Sequence, residues 1–259
     1  MIPFRVAALF SCGEPSAVAT KVRQAELRRS GLPFELAIVR CVVPDEHPDN
    51  DRFAAECQAW FGQEIINLKS DEYDDCFDVW EKRRYLNGHK GAPCTVHMKK
   101  IPRQEWERIW LPSQHVFGYT HEEADRAKTF RKANPEINLD CPLIRAGLSA
   151  SDCAGIIQAA GIARPVMYQL GFKHNNCRGC VKARSPRYWA LVRHHFPDRF
   201  FRLAGICRDV GWTPCRAGDD TPIWLDELPM EMPMEDDSPD IECSLFCHIE
   251  MQKIADAAP

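Results

Sequence analysis

No apolar run in the 259-residue sequence approaches the roughly 20 residues that cross a bilayer as a helix, which excludes a protein built of membrane-spanning helices. The opening stretch MIPFRVAALF is apolar over only a few residues and lacks both the charged start and the long apolar centre of a secretory signal. A cytoplasmic location and no membrane partner are therefore expected. Excess positive charge is missing too. The formal net charge is −4, which gives no overall attraction to nucleic acid and leaves only a local basic face as a route to one. No internal repeat is apparent, which argues against a stacked-repeat architecture.

What the sequence has in quantity is cysteine, thirteen in all. In a reducing compartment such thiols point to metal, redox chemistry or core packing rather than to disulfides. Cys41, Cys57 and Cys153 sit inside apolar or helix-like segments and are expected to be buried as small hydrophobes. The stretch HNNCRGC (174–180) is different, because Cys177 and Cys180 stand three apart behind polar residues and a glycine. That spacing can hold a metal, form a redox pair or simply be two thiols on a turn.

Short apolar strands alternate with helical segments. FRVAALFS (4–11), FELAIVRCVV (34–43), EIINLK (64–69) and HVFGYT (115–120) read as buried strands, while SAVATKVRQAELRRS (16–30), DRFAAECQAWFG (51–62) and HEEADRAKTFRKA (121–133) read as helices. The alternation predicts an α/β fold, a Rossmann-like and mostly parallel sheet with helices on both faces, whose ligands collect at the carboxyl ends of the strands. SASDCAGIIQAAGI (149–162) predicts a helix with a serine cap and a glycine stop. Residues 73–112, charged and rich in tryptophan, predict a loop-and-helix excursion over the ligand-binding face. PRYWALVRHHF (186–196) is helix-like, with Arg184, Arg187 and Arg193 expected as a solvated charged face and His194 and His195 as packing or surface groups. The domain expectation is an α/β part over 1–225, an acidic proline-rich mobile linker over 226–240 and a cysteine-bearing tail over 241–259.

The turn FSCGEPS (10–16), where the first strand hands over to the first helix, offers backbone N–H groups to an anion, and Pro15 fits an early helical position. It resembles the Ser-Gly-Gly-x-Asp-Ser loop of the PP-loop, or adenine-nucleotide alpha-hydrolase, superfamily. Ser11, Gly13 and Ser16 match, and Cys12 and Pro15 depart. DEHPDNDRFAAECQAWFG (45–62), with Glu46, His47 and Pro48 after the second strand, and GYTHEEADR (118–126), with Gly118, Glu122 and Arg126, are similar to motifs of the phosphoadenosine phosphosulfate (PAPS) reductase branch, particularly its short phage variants. Thr120 stands where that branch often has a basic residue. The resemblance implies adenine-nucleotide binding (ATP, APS or PAPS) through Ser11, Cys12, Gly13, Ser16, Glu46, Lys99, Gly118 and Arg126.

PCTVHMKKIP (93–102) resembles the double-cysteine segment of adenylyl-sulfate (APS) reductases, which pairs with a later Cys-x-x-Cys to hold a four-iron, four-sulfur cluster. Cys177 follows Cys94 by 83 positions, a separation like the family's. The resemblance implies a [4Fe-4S] cluster on Cys94, Cys177 and Cys180, with basic neighbours Lys99, Lys100, Arg178 and Lys182 favouring thiolate and attracting an anionic nucleotide. Pro93 replaces the other member of the double cysteine, so the fourth ligand is open, with Cys141, Cys243 and Cys247 as candidates. Zinc completed by His97 or His174, and unliganded or redox thiols, are the competing readings.

IECSLFCHIE (241–250) looks like a degenerate form of the Glu-Cys-Gly-x-His tail that carries the nucleophile of sulfonucleotide reductases, which implies Cys243 as nucleophile. The first functional expectation is thus sulfonucleotide reduction by thiolate attack, with a dithiol reductant such as thioredoxin as partner. The second is ATP-dependent, cluster-dependent thiolation of a tRNA or DNA base, and the third a catalytically inactive nucleotide-sensing or interaction protein with a structural metal site. A homo-oligomer is compatible with each.

Overall fold

Burial along FRVAAL deepens to completeness within three residues, and in its β conformation successive side chains enter opposite faces. Val6 and Ala8 pack into one apolar cluster and Leu9 into another. This strand, β1 (Phe4–Leu9), is the centre of a five-stranded sheet in the computed structural model, which describes residues 4–89 and 91–237. With β2 (Phe34–Cys41), β3 (Ile65–Leu68), β4 (Gln114–Val116) and β5 (Leu139–Asp140) the order is β3-β2-β1-β4-β5, and every pairing is parallel. The expected α/β class is therefore present.

Helices α1 (Glu14–Ser30) and α2 (Asp49–Phe61) cover one face, where Phe10, Phe53 and Phe61 stack with Val6 and Ile38. Residues 76–110 are more regular than expected: α3 (Cys76–Arg83) is followed by α4 (Pro93–Thr95), which runs through a π-helical turn (Val96–Lys100) into α5 (Ile101–Trp110). α5 and α6 (Ala124–Ala133) back the other face through Trp106, Trp110, Ala127 and Phe130. α7 (Pro142–Ala146) and α8 (Ala150–Ala159) return to α1, and Ser149 caps α8 by accepting from the Asp152 N–H, as its sequence predicts.

After α9 (Val166–Gln169), helices α10 (Pro186–His195) and α11 (Pro197–Val210) pack with α3 around Trp189, Phe200 and Leu203 to form a third cluster beside the sheet. The stretch expected as a mobile linker lies along α10 as far as residue 237. Arg193 donates to the carbonyls of Leu228 and Pro229 at 2.7 Å each, Arg187 pairs with Glu235, and the buried Asp236 accepts from the Lys173 N–H at 2.8 Å. Two arginines of the expected solvated face thus tie down this strap. No helix among the described residues is long and apolar enough to cross a membrane.

Candidate active site

In the sheet order the chain leaves β1 toward β2 on one side and returns to β4 on the other, so the crevice for ligands opens at the carboxyl ends of β1 and β4. The turn 11–16 fills that point. Ser16 Oγ is its hub: it accepts from the Ser11 N–H at 3.1 Å and from the Ser11 hydroxyl at 3.2 Å, and donates to the Gly13 carbonyl at 2.8 Å. Gly13 caps α1 without a side-chain bond, leaving the helix start to other partners. Cys12 holds a left-handed φ of 58°, the conformation a glycine takes readily, which accounts for glycine at the matching position of the resembling loop. Its thiol is fully buried under the turn, donating toward the Asn50 carbonyl at 3.7 Å, and burial pushes its pKa up. The whole residue is buried beneath the turn.

Gly118 follows β4 and lies against the same turn. A Cβ there would come within 2.6 Å of the Ser16 nitrogen and 2.7 Å of its Cα, so glycine is required by close approach. Thr120 and Glu123 form a capping box, the Glu123 carboxylate accepting from the Thr120 N–H at 3.0 Å, which gives the threonine a local role in place of a basic contact. Arg126 pairs with Glu123 and covers the Tyr119 ring at 5.0 Å.

A buried polar chain joins the turn to both cysteine segments. Asn175 Nδ2 donates to the Cys12 carbonyl at 2.7 Å and to Asn50 Oδ1 at 2.8 Å. Asn50 Nδ2 in turn donates to Glu46 Oε2 at 3.0 Å, and Lys99 Nζ to Glu46 Oε1 at 2.8 Å. Glu46 and Lys99, each expected at the nucleotide, thus face one another in a pair about 5–7% exposed. The π-helical turn that carries Lys99 is a form enriched at functional sites.

The thiols come next. Cys177 pairs with Glu46 in an isolated antiparallel bridge, and the following Arg178 N–H donates to the Asp45 carbonyl at 2.9 Å. Cys76 begins α3, its N–H donating to Asp45 Oδ2 at 2.6 Å, and its thiol is in hydrogen-bond contact with those of Cys177 and Cys94. These contacts, with complete burial, hold the Cys76 thiol well above its ordinary pKa: adjacent thiolates in a dry site repel, and a cation would relieve them. Cys180 donates its N–H to Tyr188 Oη at 2.9 Å, and that hydroxyl lies near both Cys180 and Cys177. Among the described residues no group of three or more His, Cys, Asp or Glu is arranged to hold a single metal ion, so the contacts are pairwise.

Thiolates are the soft donors that iron–sulfur clusters take, one to each iron. Two buried polar atoms on the same elements have no hydrogen-bond partner among the described residues: Trp80 Nε1, one turn beyond Cys76, and Thr95 Oγ1, next to Cys94. Cys141 packs elsewhere, with Phe117 and Phe130, and burial raises its pKa to about 11. Cys41, Cys57 and Cys153 are buried as expected, each pushed up to about 12 by desolvation. Cys243 and Cys247 lie outside the described residues.

Beside the turn opens a cavity of about 670 Å³, lined by Glu14, Thr120, Glu122, Arg164, Tyr168 and Lys173 among others. Arg164 reaches Glu14 at 2.6 and 3.0 Å, and the Tyr168 hydroxyl contacts the backbone of Glu14 and Asn175, over the start of α1. Burial first, and the Glu14 charge second, push the Tyr168 phenol up. Sequence reasoning missed Cys76, Asn50, Tyr168 and Arg164. Asn50 and Asn175 lay inside motifs singled out for other reasons.

No family model matches the chain, and no curated protein matches it. Among solved structures it is similar to the crystal structure of phosphoadenylyl-sulfate (PAPS) reductase from Candida auris in complex with phosphate. The two share 10% sequence identity at a TM-score of 0.48, over 68% of this chain and 82% of that one, and a likeness of this degree assigns no reaction.

Proposed function

We propose that the protein is a sulfur-transfer enzyme of the sulfonucleotide reductase type, which binds an adenine nucleotide at the turn 11–16 and carries an iron–sulfur cluster on the adjoining cysteines. The observation that carries this reading is the buried chain Cys12–Asn175–Asn50–Glu46–Lys99, because it fixes an anion-receptive turn and two cysteine segments as one unit. The neighbouring cavity has the volume usual for small-molecule sites, about 300–1,000 Å³. Its lining carries Arg164 and Lys173 alongside the carboxylates Glu14, Glu122 and Glu123, and the start of α1 adds its dipole for an anionic group.

The nucleophile in this reading is Cys243. The strap delivers the chain to the cavity rim, since Asp236 is bound to Lys173, and the seven residues from there to Cys243 span at most about 25 Å. Its thiolate attacks the sulfur of the sulfonucleotide, and the sulfur–oxygen bond breaks with its electron pair going to the departing nucleotide phosphate. The sulfonate then rests on the Cys243 sulfur. A dithiol partner attacks that sulfur, sulfite leaves with the bonding pair, and the second thiol of the partner closes its own disulfide and frees Cys243, so S(VI) is reduced as the dithiol is oxidised. When bound, the cluster would supply a fixed electrostatic field beside the anionic end of the nucleotide.

Titration calorimetry of the metal-replete protein with APS, PAPS, ATP and AMP, followed by sulfite release in the presence of thioredoxin, tests the proposal. Micromolar binding of a sulfonucleotide is expected, with sulfite release lost in Cys243→Ala and binding retained. Failure to bind any adenine nucleotide sinks the reading, and AMP formation from ATP in the presence of tRNA or DNA would replace it with base thiolation.

A further inference from the structure

The iron–sulfur reading leaves one position without a ligand, because Pro93 stands where the resembling segment has a second cysteine. Three elements meet at the thiols. Cys94 enters from the start of α4, Cys177 from the loop before α10, and Cys76 from the first residue of α3, while Cys180 of the same loop lies with Cys177 near the Tyr188 hydroxyl. Cys76 contacts the sulfurs of both Cys94 and Cys177, although 18 and 101 residues separate it from them.

Its position is fixed by the most buried acid near the site. Asp45, 1% exposed, accepts the Cys76 N–H on Oδ2, pairs with Arg199 through Oδ1, and accepts the Arg178 N–H on its own carbonyl. One residue thereby aligns the start of α3 with the segment that bears Cys177. Of the other buried thiols, Cys12, Cys57 and Cys153 lie in the cluster under α1 and α2 and Cys41 and Cys141 on the opposite face of the sheet, while Cys207 and Cys215 share the cluster of Cys76 but neighbour each other and Asp226. Trp80 Nε1, on the helix that Cys76 begins, and Thr95 Oγ1, next to Cys94, are buried without a hydrogen-bond partner among the described residues.

We propose that Cys76 is the fourth thiolate of this site, filling the role that Pro93 vacates. The assignment rests on the iron–sulfur reading above and has a functional consequence. With one thiolate on each iron no iron is left to carry a transferable sulfide, which favours sulfonucleotide reduction over base thiolation.

The test is anaerobic reconstitution of the full chain with ferrous iron and sulfide, comparing wild type, Cys76→Ala, Cys76→Ser and the control Cys207→Ala. Wild type and the control are expected to hold about four irons per chain and to keep their cluster after ferricyanide treatment. Cys76→Ala is expected to retain about three, with the electron paramagnetic resonance of a three-iron cluster on oxidation. Cys76→Ser, whose hydroxyl can still bind iron, is expected to load but with a shifted sulfur-to-iron absorption band, and it decides the matter if the alanine variant does not fold. Loading and spectra identical to wild type in the Cys76 variants would overturn the assignment alone. Absence of iron from the wild type would overturn the cluster reading and the assignment with it.

Discussion

The Gly118→Ala substitution adds one methyl group at the point where β4 meets the start of α1. The new carbon would lie 2.6 Å from the Ser16 nitrogen, 2.7 Å from its Cα and 2.9 Å from the Pro15 carbonyl carbon. All three are backbone atoms, so no side chain can rotate away. Reaching an ordinary separation of 3.4 Å requires the helix start to retreat by about 0.8 Å. That retreat pulls on Ser16, whose hydroxyl organises the turn through Ser11 and Gly13, and on Thr20, which donates to the Ser16 carbonyl at 2.8 Å. Overpacking of this kind costs about 1–3 kcal/mol, and for a chain of this size each kcal/mol lowers Tm by roughly 2–4 °C. Urea denaturation and thermal melting should register the loss, and calorimetry should find nucleotide affinity reduced about tenfold or more because the N–H groups of the turn have moved. A variant with the wild-type urea midpoint would refute the close-approach reasoning.

Two further outcomes follow from other parts of the site. Breaking the buried Lys99–Glu46 pair from one side, with Lys99→Met or Glu46→Gln, should cost about 3–5 kcal/mol, and the double variant less than the sum of the two. Additive losses in urea denaturation would show that the pair is not coupled. Asp49 is held below its ordinary carboxylate value chiefly by the Arg52 guanidinium, with a further N–H from Val166. Because the folded value is the lower one, its stabilisation is present above the ordinary value of 3.8 and is lost as pH falls through the depressed one. Asp49→Asn should therefore flatten the dependence of stability on pH below about 4 and leave it unchanged above 5; an unaltered acid limb would contradict the pairing.

Much of the sheet could be read from sequence because four of its strands are runs of β-branched and apolar residues bounded by turns. β5 escaped because two residues carry no periodicity. The region 73–112 was expected as a less regular loop-and-helix excursion, and the bounds of its helices α3 and α5 were not legible. Their charged outer faces dilute the apolar signal, and the sequence gives no sign of the π-helical turn between them. α11 carries aromatic residues on several sides and was passed over. At the site, the turn 11–16 and Gly118 were visible because they are local in the chain. Cys76 sits in DDCFDVW, a segment with no cysteine spacing of its own, and becomes notable only when folding brings it to Cys94 and Cys177. Asn50 acts through side-chain hydrogen bonds with Asn175 and Glu46, and Tyr168 through contacts with the backbone of Glu14 and Asn175, which no pattern along the chain encodes.

The turn after β1 is gripped from three directions: from below by the Cys12 thiol, from the side by Asn175, and across its own mouth by Ser16. A segment so held gives up its conformational freedom when the protein folds rather than when a ligand arrives. An anion captured there loses its own translational and rotational freedom without having to order the loop as well. Such a turn behaves as a rigid receptor: association is limited by encounter and by local charge, not by loop closure, and its rate should therefore follow ionic strength and solvent viscosity and be insensitive to low concentrations of denaturant.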